Sequence, residues 1–328
     1  MGGGTPSLFS AKSLAMLLRQ IRQRMELAGD IEITLEANPG TLEHDPFEAY
    51  LEAGINRLSL GIQSFDDRQL KTLGRIHDSS AAENAIQAAQ SAGFENINLD
   101  LMYGLPEQTT QMALNDCLRA LSYSTTHLSC YQLTLEPNTY FYRYPPRLPD
   151  HDRQSEIQIA LQNTLHQHGY QQYEVSAYAR HARECKHNLN YWQFGDYLGI
   201  GAGAHSKLTG ADGVVRSWKQ KHPATYLAHI ANNTPYKTET PVPQKELLFE
   251  AMMNALRLKD GIKLTTLQQR TGLPGNVAMD ALQQVINQQW VEITDDSIRC
   301  TETGYLFIDE ILQTLLPESP KSPESPES

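Results

Sequence analysis

The sequence predicts an α/β fold built from parallel β/α units, and three observations support that prediction. Between about Ile31 and Tyr178, apolar runs of strand length alternate with longer segments whose apolar residues recur at helical spacing. Successive strand ends are far enough apart to accommodate one crossover helix each. Most of the strands are almost continuously apolar, as expected when helices cover a sheet.

The predicted elements alternate in order through this region. The expected strands are IEITLEA (31–37), INRLSLGI (55–62), INLDLMYG (97–104), LSCYQLTL (128–135) and YEVSAYA (173–179). The expected helices cover residues 9–28, 42–53, 79–92, 108–122 and 150–168. Since helices separate the strands, the carboxyl ends of the strands should meet along one edge of the sheet.

The pattern changes beyond residues 1–178, which form the first predicted domain. Residues 179–242 are rich in glycine, histidine and aromatic residues without helical spacing, which predicts a long ordered extension. Residues 243–316 predict three helices, a hairpin and a last helix, an order that resembles a winged helix. This segment has six Lys or Arg and ten Asp or Glu, so packing or partner docking is favoured over DNA binding. Residues 317–328 are an acidic, proline-rich tail that we expect to be disordered.

Composition and charge exclude several classes of protein. The 328-residue chain has a formal net charge of −11, which disfavours nucleic acid and anionic membranes as partners. No stretch approaches the roughly 18 apolar residues of a membrane span, so we expect a cytoplasmic protein without stable membrane insertion. The cysteines are widely spaced, which predicts reduced structural thiols and no zinc or iron–sulfur motif; they are Cys117, Cys130, Cys185 and Cys300.

Polar residues occur where the predicted strands end. Glu36, Gln63, Asp100 and Thr134 fall at or near carboxyl ends, the edge that holds sites in barrels and open α/β sheets. Glu36 is either a partner for an ammonium group or a solvated loop acid, whereas Gln63 offers both a donor and an acceptor. Asp100 lies between apolar neighbours and is expected to point into the mouth of the sheet, where it binds a hydroxyl or a cation. Together these residues predict a bowl of convergent polar groups.

Four further motifs carry candidate binding residues. The opening run GGGTP (2–6) is either a flexible terminus or a set of exposed amides that receive a carboxylate or phosphate. Arg75, in LGRIH, is either a carboxylate partner or a solvated loop arginine. His187, in HNLNYW, and His205, in GAGAH, are either hydrogen-bonded structural histidines or contacts for a porphyrin or metal.

These motifs, in this order, resemble the radical SAM family of oxygen-independent coproporphyrinogen III oxidase-like proteins. The resemblance extends from Gly2 to Leu316 and rests on GGGTPSLF, EANPG, GIQSF, LGRIH, NLDLMYGLP, YQLTLEPNT, YEVSAYA, HNLNYW and GIGAGAHS. The HNLNYW run is similar to the HNxxYW signature of the heme chaperone branch. The resemblance implies a partial (β/α)6 TIM-like barrel followed by a small helical, winged-helix-like carboxy-terminal domain.

The resemblance also implies cofactors and their sites. Members of the family hold a [4Fe–4S] cluster and S-adenosylmethionine at the mouth of the barrel, and heme is the cargo of the chaperone branch. By motif match, S-adenosylmethionine would be bound by Gly3, Gly4, Thr5, Glu36, Gln63, Arg75, Asp100 and, with less motif identity, Thr134. His187 is the candidate heme contact.

One part of the family pattern is missing from the chain. The CxxxCxxC motif that ligates the cluster lies upstream of GGGTP in the family, and this chain begins at GGGTP. We therefore expect that Met1 is an internal methionine or a fragment boundary. The first β/α unit and most of the second strand would then be absent from the chain.

Three functions remain open at this point. The first is a cytosolic chaperone that binds heme and delivers it to acceptor proteins. The second is an oxygen-independent coproporphyrinogen III dehydrogenase of heme biosynthesis, in which a deoxyadenosyl radical abstracts hydrogen from a propionate side chain. The third is a non-catalytic barrel that docks a partner protein through its acidic carboxy-terminal domain. A homodimer is among the oligomeric states that the sequence leaves open.

Overall fold

The computed structural model describes residues 1–40 and 44–316, which divide into two compact units. Unit 1 runs from Met1 to Glu184, and unit 2 begins at Cys185. The start of the expected helix 42–53 and the expected disordered tail 317–328 lie outside the described residues. Within the described ranges, no helix combines the length and the apolar character needed to cross a membrane.

Unit 1 alternates strands and helices as the sequence predicts. A 3₁₀ turn at Pro6–Leu8 precedes the first helix. The helices are α1 (Ala11–Arg22), α2 (Phe47–Glu52), α3 (Asp67–Thr72), α4 (Ser79–Ser91), α5 (Thr110–Ser122), α6 (Tyr140–Arg143) and α7 (His151–Gln167). The strands are β1 (Thr34–Ala37), β2 (Arg57–Gln63), β3 (Ile97–Tyr103), β4 (His127–Gln132), β5 (Gln171–Gln172) and β6 (Ala177–Ala179).

The six strands form one mixed sheet in the order β1-β2-β3-β4-β6-β5, with helices packed on it, which confirms the α/β class. The first four strands are parallel, whereas β6 is antiparallel to both β4 and β5. The expectation of a single parallel strand over 173–179 was therefore wrong. Helix α7 returns the chain to β5, and a four-residue hairpin loop then reverses it, so that β6 lies between β4 and β5.

The two faces of this sheet differ in chemistry because successive side chains of a strand point to opposite sides. One face is apolar and packs against the helices; it includes Leu35, Leu58, Leu60, Leu99, Leu101 and Leu128. Most of the alternate positions carry polar side chains. In register, Glu36 lies beside Ser59, Ser59 beside Asn98, and Asn98 beside His127. A polar row therefore crosses the four parallel strands.

Polar caps set several helix starts of unit 1. Ser10 accepts a hydrogen bond from the Ser13 amide at 3.2 Å, so α1 begins where the sequence predicts. Asp78 and Thr109 accept in the same way at the starts of α4 and α5, and Asp150 does so at α7. These caps agree with the predicted starts to within two residues.

Unit 2 contains two three-stranded sheets and seven helices within its described residues. Its helices are α8 (Lys186–Trp192), α9 (Pro223–Ala231), α10 (Gln244–Ala255), α11 (Leu264–Thr271), α12 (Gly275–Asn287), α13 (Glu302–Leu306) and α14 (Ile308–Thr314). Its strands are β7 (His205–Gly210), β8 (Gly213–Lys219), β9 (Lys237–Pro241), β10 (Ile262–Lys263), β11 (Val291–Thr294) and β12 (Ser297–Cys300). The sheets have the orders β7-β8-β9 and β10-β12-β11, and every pairing is antiparallel.

Much of the region expected to be irregular, 179–242, is regular. Helix α8, the β7-β8-β9 sheet and α9 all fall within it. Every residue of β9 is exposed, and its sequence KTETP shows no alternation of apolar and polar residues. The backbone ladder with β8 forms this strand, so hydrophobic periodicity gives no signal for it. From α10 to β12, the chain follows the order predicted for residues 243–316, with the short strand β10 added.

Candidate functional site

A cavity of about 360 Å³ opens at the carboxyl ends of β1, β2 and β3 in unit 1, and we call it cavity A. Its walls include five of the residues singled out from the sequence, Gly4, Glu36, Gln63, Arg75 and Asp100. These residues come from the amino-terminal turn, three neighbouring strands and one loop. The predicted convergence of polar groups at this edge is therefore present in the fold.

The glycine run brings the amino-terminal segment to this edge. The Glu36 amide donates to the Met1 carbonyl at 3.1 Å, so the chain enters beside β1. Gly3 and Gly4 then both have left-handed φ angles, +85° and +68°, which favour glycine over residues with a Cβ atom. Thr5 starts the 3₁₀ turn and is not part of the cavity wall.

Strand β2 is irregular where it reaches the cavity. Its pairing with β3 shifts between Leu60 and Gln63, and Gln63 has a φ of +69°. Bulges of this kind re-aim side chains next to functional sites. A Cβ atom on Gly61 would lie 2.7 Å from Asn38 Oδ1 and 3.0 Å from Gln63 Nε2, so both side chains closely approach the backbone there.

Asp100 is held by one hydrogen bond from its own strand, β3, and one from the neighbouring strand β2. Its Oδ1 accepts from Asn98 Nδ2 at 2.9 Å, and its Oδ2 accepts from the Ser59 hydroxyl at 3.1 Å. Desolvation raises the pKa of Asp100, while the hydrogen bonds from Asn98 and Ser59 oppose that rise. The hydrogen bonds therefore orient the carboxylate but do not fully offset its loss of solvation. The carboxylate also lines the cavity.

Behind Asp100, a buried chain of hydrogen bonds continues across the sheet. Asn98 Oδ1 accepts from His127 Nδ1 at 2.6 Å, and His127 Nε2 lies 2.9 Å from the Tyr173 hydroxyl. Burial lowers the pKa of His127 well below its usual value, so the imidazole is neutral. Since Nδ1 carries the proton, Nε2 accepts from Tyr173. We call Asp100, Ser59, Asn98, His127 and Tyr173 the Asp100 network.

Arg75 provides the positive charge of cavity A. It is half-buried, and desolvation lowers its pKa while the nearby Asp100 charge opposes that shift. Among the described residues, the Arg75 guanidinium forms no ion pair or hydrogen bond, and only the Arg75 backbone amide donates one, to the Leu70 carbonyl. A guanidinium placed in this way has its donors available for an anionic ligand group.

Two further side chains hold the loops around cavity A in place. His77, in the same LGRIH motif as Arg75, lies buried with Nε2 3.1 Å from the Ile62 carbonyl. Asp116, on α5, accepts from the Ser64 hydroxyl and the Phe65 amide, each at 2.7 Å. Desolvation raises the pKa of Asp116 to about 6. The GIQSF turn is thus attached to α5.

Thr134 and His187 are not among the residues that line cavity A. Thr134 is exposed two residues beyond β4, and its hydroxyl donates to Glu136 Oε1 at 3.0 Å. His187 is exposed on α8 of unit 2. Its signature neighbours pack within their own unit: the Trp192 ring lies under Arg257 at 4.4 Å, and Tyr191 packs against Tyr197.

The segment that follows α8 is built around a buried lysine. Lys207 is 1% exposed, and its Nζ donates to Asp196 Oδ1 and the Phe194 carbonyl, each at 2.9 Å. The same ammonium lies 4.1 Å from the centre of the Phe194 ring. These contacts join the end of the HNLNYWQFGD run to β7.

Comparison with known proteins relates both units to one family. A model described as the Radical SAM superfamily matches residues 1–117, and one described as the HemN C-terminal domain matches residues 242–307. The heme chaperone HemW of Haemophilus influenzae is 46% identical over 319 residues, 97% of this chain and 82% of that protein. HemW of Escherichia coli is 44% identical, over 97% of this chain and 83% of that protein.

The chain belongs to the HemW family of the radical SAM superfamily. Among solved structures, coproporphyrinogen III oxidase (HemN) from Escherichia coli, described as a radical SAM enzyme, matches with a TM-score of 0.75. That match covers 96% of this chain and 76% of HemN at 21% identity, so it shows a shared fold. Membership of the radical SAM superfamily implies S-adenosylmethionine and a [4Fe–4S] cluster as cofactors.

The residues of this HemW family member fit one of these cofactors and not the other. Cavity A offers carboxylates and an available guanidinium, which suit the charged groups of S-adenosylmethionine. The four cysteines are buried free thiols, and burial raises the pKa of Cys117 and Cys300 to about 12. Within residues 1–40 and 44–316, no three His, Cys, Asp or Glu side chains are grouped to hold a metal ion. The described residues therefore do not fit a thiolate-held cluster.

The sequence missed several members of the site. Ser59, Asn98 and His127 were not identified, although each falls two residues from another polar or glycine residue of its strand, as in SLG, NLD and HLS. Such alternation within an otherwise apolar strand is the available signal. Because the hydrogen bonds from Ser59 to Asp100 and from His127 to Asn98 span 41 and 29 residues of sequence, only the register of the sheet joins these side chains.

Proposed function

We propose that this HemW family member is a cytoplasmic chaperone that binds heme and passes it to acceptor proteins, and that it binds S-adenosylmethionine in cavity A. Its relatives named heme chaperone HemW align over 97% of the chain, which supports the first part. We assign S-adenosylmethionine to residues 1–178, which include cavity A. We assign heme to the extension 179–242 and acceptor docking to the acidic winged-helix-like segment 243–316.

The observation that carries the S-adenosylmethionine assignment is the pairing of opposite charges around cavity A. The amino acid end of S-adenosylmethionine has one ammonium and one carboxylate group. Glu36 supplies a carboxylate for the ammonium, and Arg75 supplies a guanidinium that has no ionic partner among the described residues. Asp100, already oriented by Ser59 and Asn98, is placed to accept hydrogen bonds from ligand hydroxyls.

The backbone contributes to the same site. Gly3 and Gly4 let the amino-terminal turn approach a ligand closely, and Gly4 is part of the cavity wall. Gln63 adds both a donor and an acceptor from the bulged end of β2. Thr5 and Thr134 remain expected contacts from the motif match, and both lie outside the cavity wall described above.

Binding measurements test this assignment. Equilibrium dialysis with labelled S-adenosylmethionine should show weaker binding for Glu36→Gln and Asp100→Asn, by about tenfold each, because each loses a charged partner. Glu48→Gln, on the exposed side of α2, is the matched control and should bind like the unmodified chain. Unchanged affinity in the first two variants, with a lower melting temperature, would make them structural residues.

Heme handling is tested separately. Hemin added to the purified chain should give a shifted Soret band, and the bound heme should pass to apomyoglobin on mixing. Anaerobic incubation with coproporphyrinogen III should leave that compound unchanged. Consumption of coproporphyrinogen III without hemin binding would favour the oxidase function instead.

A further inference from the structure

Unit 2 contains a larger cavity than cavity A, at one end of the β7-β8-β9 sheet. This cavity B measures about 670 Å³, within the roughly 300–1,000 Å³ typical of small-molecule pockets. Its lining residues come from the ends of all three strands and the loops between them. We propose that cavity B is the porphyrin site of this chain, with His205 as the axial donor to iron.

The register of the sheet groups the residues that the proposal uses. His205 is paired with Trp218, and Trp218 is paired with Thr238, so the three side chains share one face of the sheet. One step further along, the Gln220 amide donates to the Tyr236 carbonyl at 3.0 Å. Because side chains alternate along a strand, Tyr236 falls on the same face as Trp218. An imidazole and two aromatic rings therefore line one end of the sheet.

Aromatic and imidazole groups match two features of an iron porphyrin. Trp218 and Tyr236 offer flat faces to a flat macrocycle. The ring of His205 is exposed to the cavity and makes no hydrogen bond or ion pair with a described residue, so a ring nitrogen is available to iron. Coordination replaces a water or hydroxide on ferric iron and requires no oxidant or reductant.

Local charge matches the third feature, the two propionates. Residues 199–238 contain five Lys or Arg and one Asp, whereas the rest of the chain has 22 Lys or Arg against 37 Asp or Glu. Three of the five, Lys219, Lys221 and Lys237, line cavity B. Desolvation lowers the pKa of Lys219, and the neighbouring Lys237 charge adds to that shift, as expected where cations are crowded.

These three lysines differ in the hydrogen bonds and ion pairs that they form within the chain. Lys219 Nζ donates to the Gly199 carbonyl, and Lys237 Nζ pairs with Glu239 Oε1 at 2.7 Å. Lys221 is exposed and forms no ion pair or hydrogen bond with a described residue. We therefore assign one propionate carboxylate to Lys221. Lys219 and Lys237 are paired with each other and alternate with Trp218 and Thr238, so they add positive potential from the other face of the sheet.

This inference rests on the proposed heme-binding function, and its test separates the two. The unmodified chain and three variants are titrated with hemin while the Soret band is recorded. His205→Ala should shift the band and weaken hemin binding about tenfold or more, because the axial bond is lost. His222→Ala removes an exposed histidine at the start of α9 and is the matched control. His187→Ala tests the site on α8 that the sequence motif suggests.

Metal-free protoporphyrin IX distinguishes a lost ligand from a lost fold. His205→Ala should bind this porphyrin like the unmodified chain, since no iron is involved. Lys221→Glu and Trp218→Ala should weaken both porphyrins, because they remove the carboxylate partner and the ring face. Imidazole added to His205→Gly should restore the Soret band of the hemin complex.

The contrary outcomes distinguish failure of the heme-binding function from failure of the assignment to cavity B. If the unmodified chain binds no hemin, the proposed function fails. If it binds hemin, and His187→Ala loses the axial signature while His205→Ala keeps it, the function stands and the assignment to cavity B is wrong. Loss of protoporphyrin IX binding in His205→Ala would also overturn the axial role.

Discussion

Cavity A lies at the ends of parallel strands, whereas cavity B lies at one end of an antiparallel sheet. Cavity A combines two carboxylates with one guanidinium, and cavity B combines lysines with aromatic rings. The net charge of the chain, −11, does not indicate the local charge of either cavity. The two cavities instead favour opposite ligand charges within one acidic chain, so the arrangement of side chains, and not their sum, selects the ligand.

The two cavities also differ in how their side chains are supported. Behind Asp100, the buried Asp100 network extends over three strands. In cavity B, Trp218 and His205 are exposed side chains carried by a backbone ladder. We therefore expect substitutions around cavity A to affect folding and binding together, and those around cavity B to affect binding alone.

The largest expected effect tests the support of cavity A. Asn98→Leu removes the partner of His127 Nδ1, Ser129 Oγ and Asp100 Oδ1 and leaves buried polar groups unsatisfied. At about 1–3 kcal/mol for each such group, the free energy of unfolding should fall by about 4 kcal/mol. Urea denaturation measures this. Asn115→Leu, on the exposed side of α5, should change it by less than about 0.5 kcal/mol.

A pH series tests the attachment of the GIQSF turn to α5. Since burial raises the pKa of Asp116 from 3.8 to about 6, its contribution to stability is present below pH 3.8 and lost as pH rises through about 6. Over that interval, the unmodified chain should lose up to about 3 kcal/mol relative to Asp116→Asn. Parallel unfolding curves for the two proteins between pH 4 and pH 7 would contradict the shifted pKa.

The next prediction separates the ligands of the two cavities. Arg75→Gln should weaken S-adenosylmethionine binding by about tenfold, because the ligand carboxylate loses a charged partner. Hemin binding should not change, since Arg75 is not among the residues that line cavity B. Equilibrium dialysis measures S-adenosylmethionine binding, and Soret titration measures hemin binding. Arg68→Gln, on exposed α3, is the control, and an equal loss in both Arg75→Gln assays would indicate general damage.

The smallest expected effect is on the stability of cavity B. Trp218 is 41% exposed, so Trp218→Ala should lower the free energy of unfolding by less than about 0.5 kcal/mol. A cooperative melt at nearly the original temperature, together with weaker porphyrin binding, is the expected combination. A large loss of stability would show that the ring is a packing residue and would remove the contrast with cavity A.

Much of unit 1 is predictable because its strands bury one apolar face. The predicted strands for β1 to β4 overlap the observed ones, and the caps mark several helix starts. The direction of β6 is not predictable in this way, because a four-residue turn reverses the chain without changing its apolar pattern. The exposed strand β9 has no pattern to detect.

The candidate site also has residues that the sequence predicts and residues that it does not. Strand-end position alone identified Glu36, Gln63 and Asp100 as neighbours in space, since parallel strands end together. Asn98 and His127 lie inside strands, where their alternation with Asp100 and Ser129 is visible in the sequence but does not show which strands pair. Their roles follow from the pairing of β3 with β4, which places them side by side.

The buried Lys207 constrains how unit 2 moves. Its ammonium bonds join Phe194 and Asp196 to β7, so separating that segment from the strand would leave a desolvated cation with only the Thr209 hydroxyl as an acceptor. Small openings of the segment are therefore disfavoured, and the segment and β7 should exchange their amide hydrogens as one cooperative unit. The end of the HNLNYWQFGD run and the strand that carries His205 would thus be protected, or exposed to solvent, at the same time.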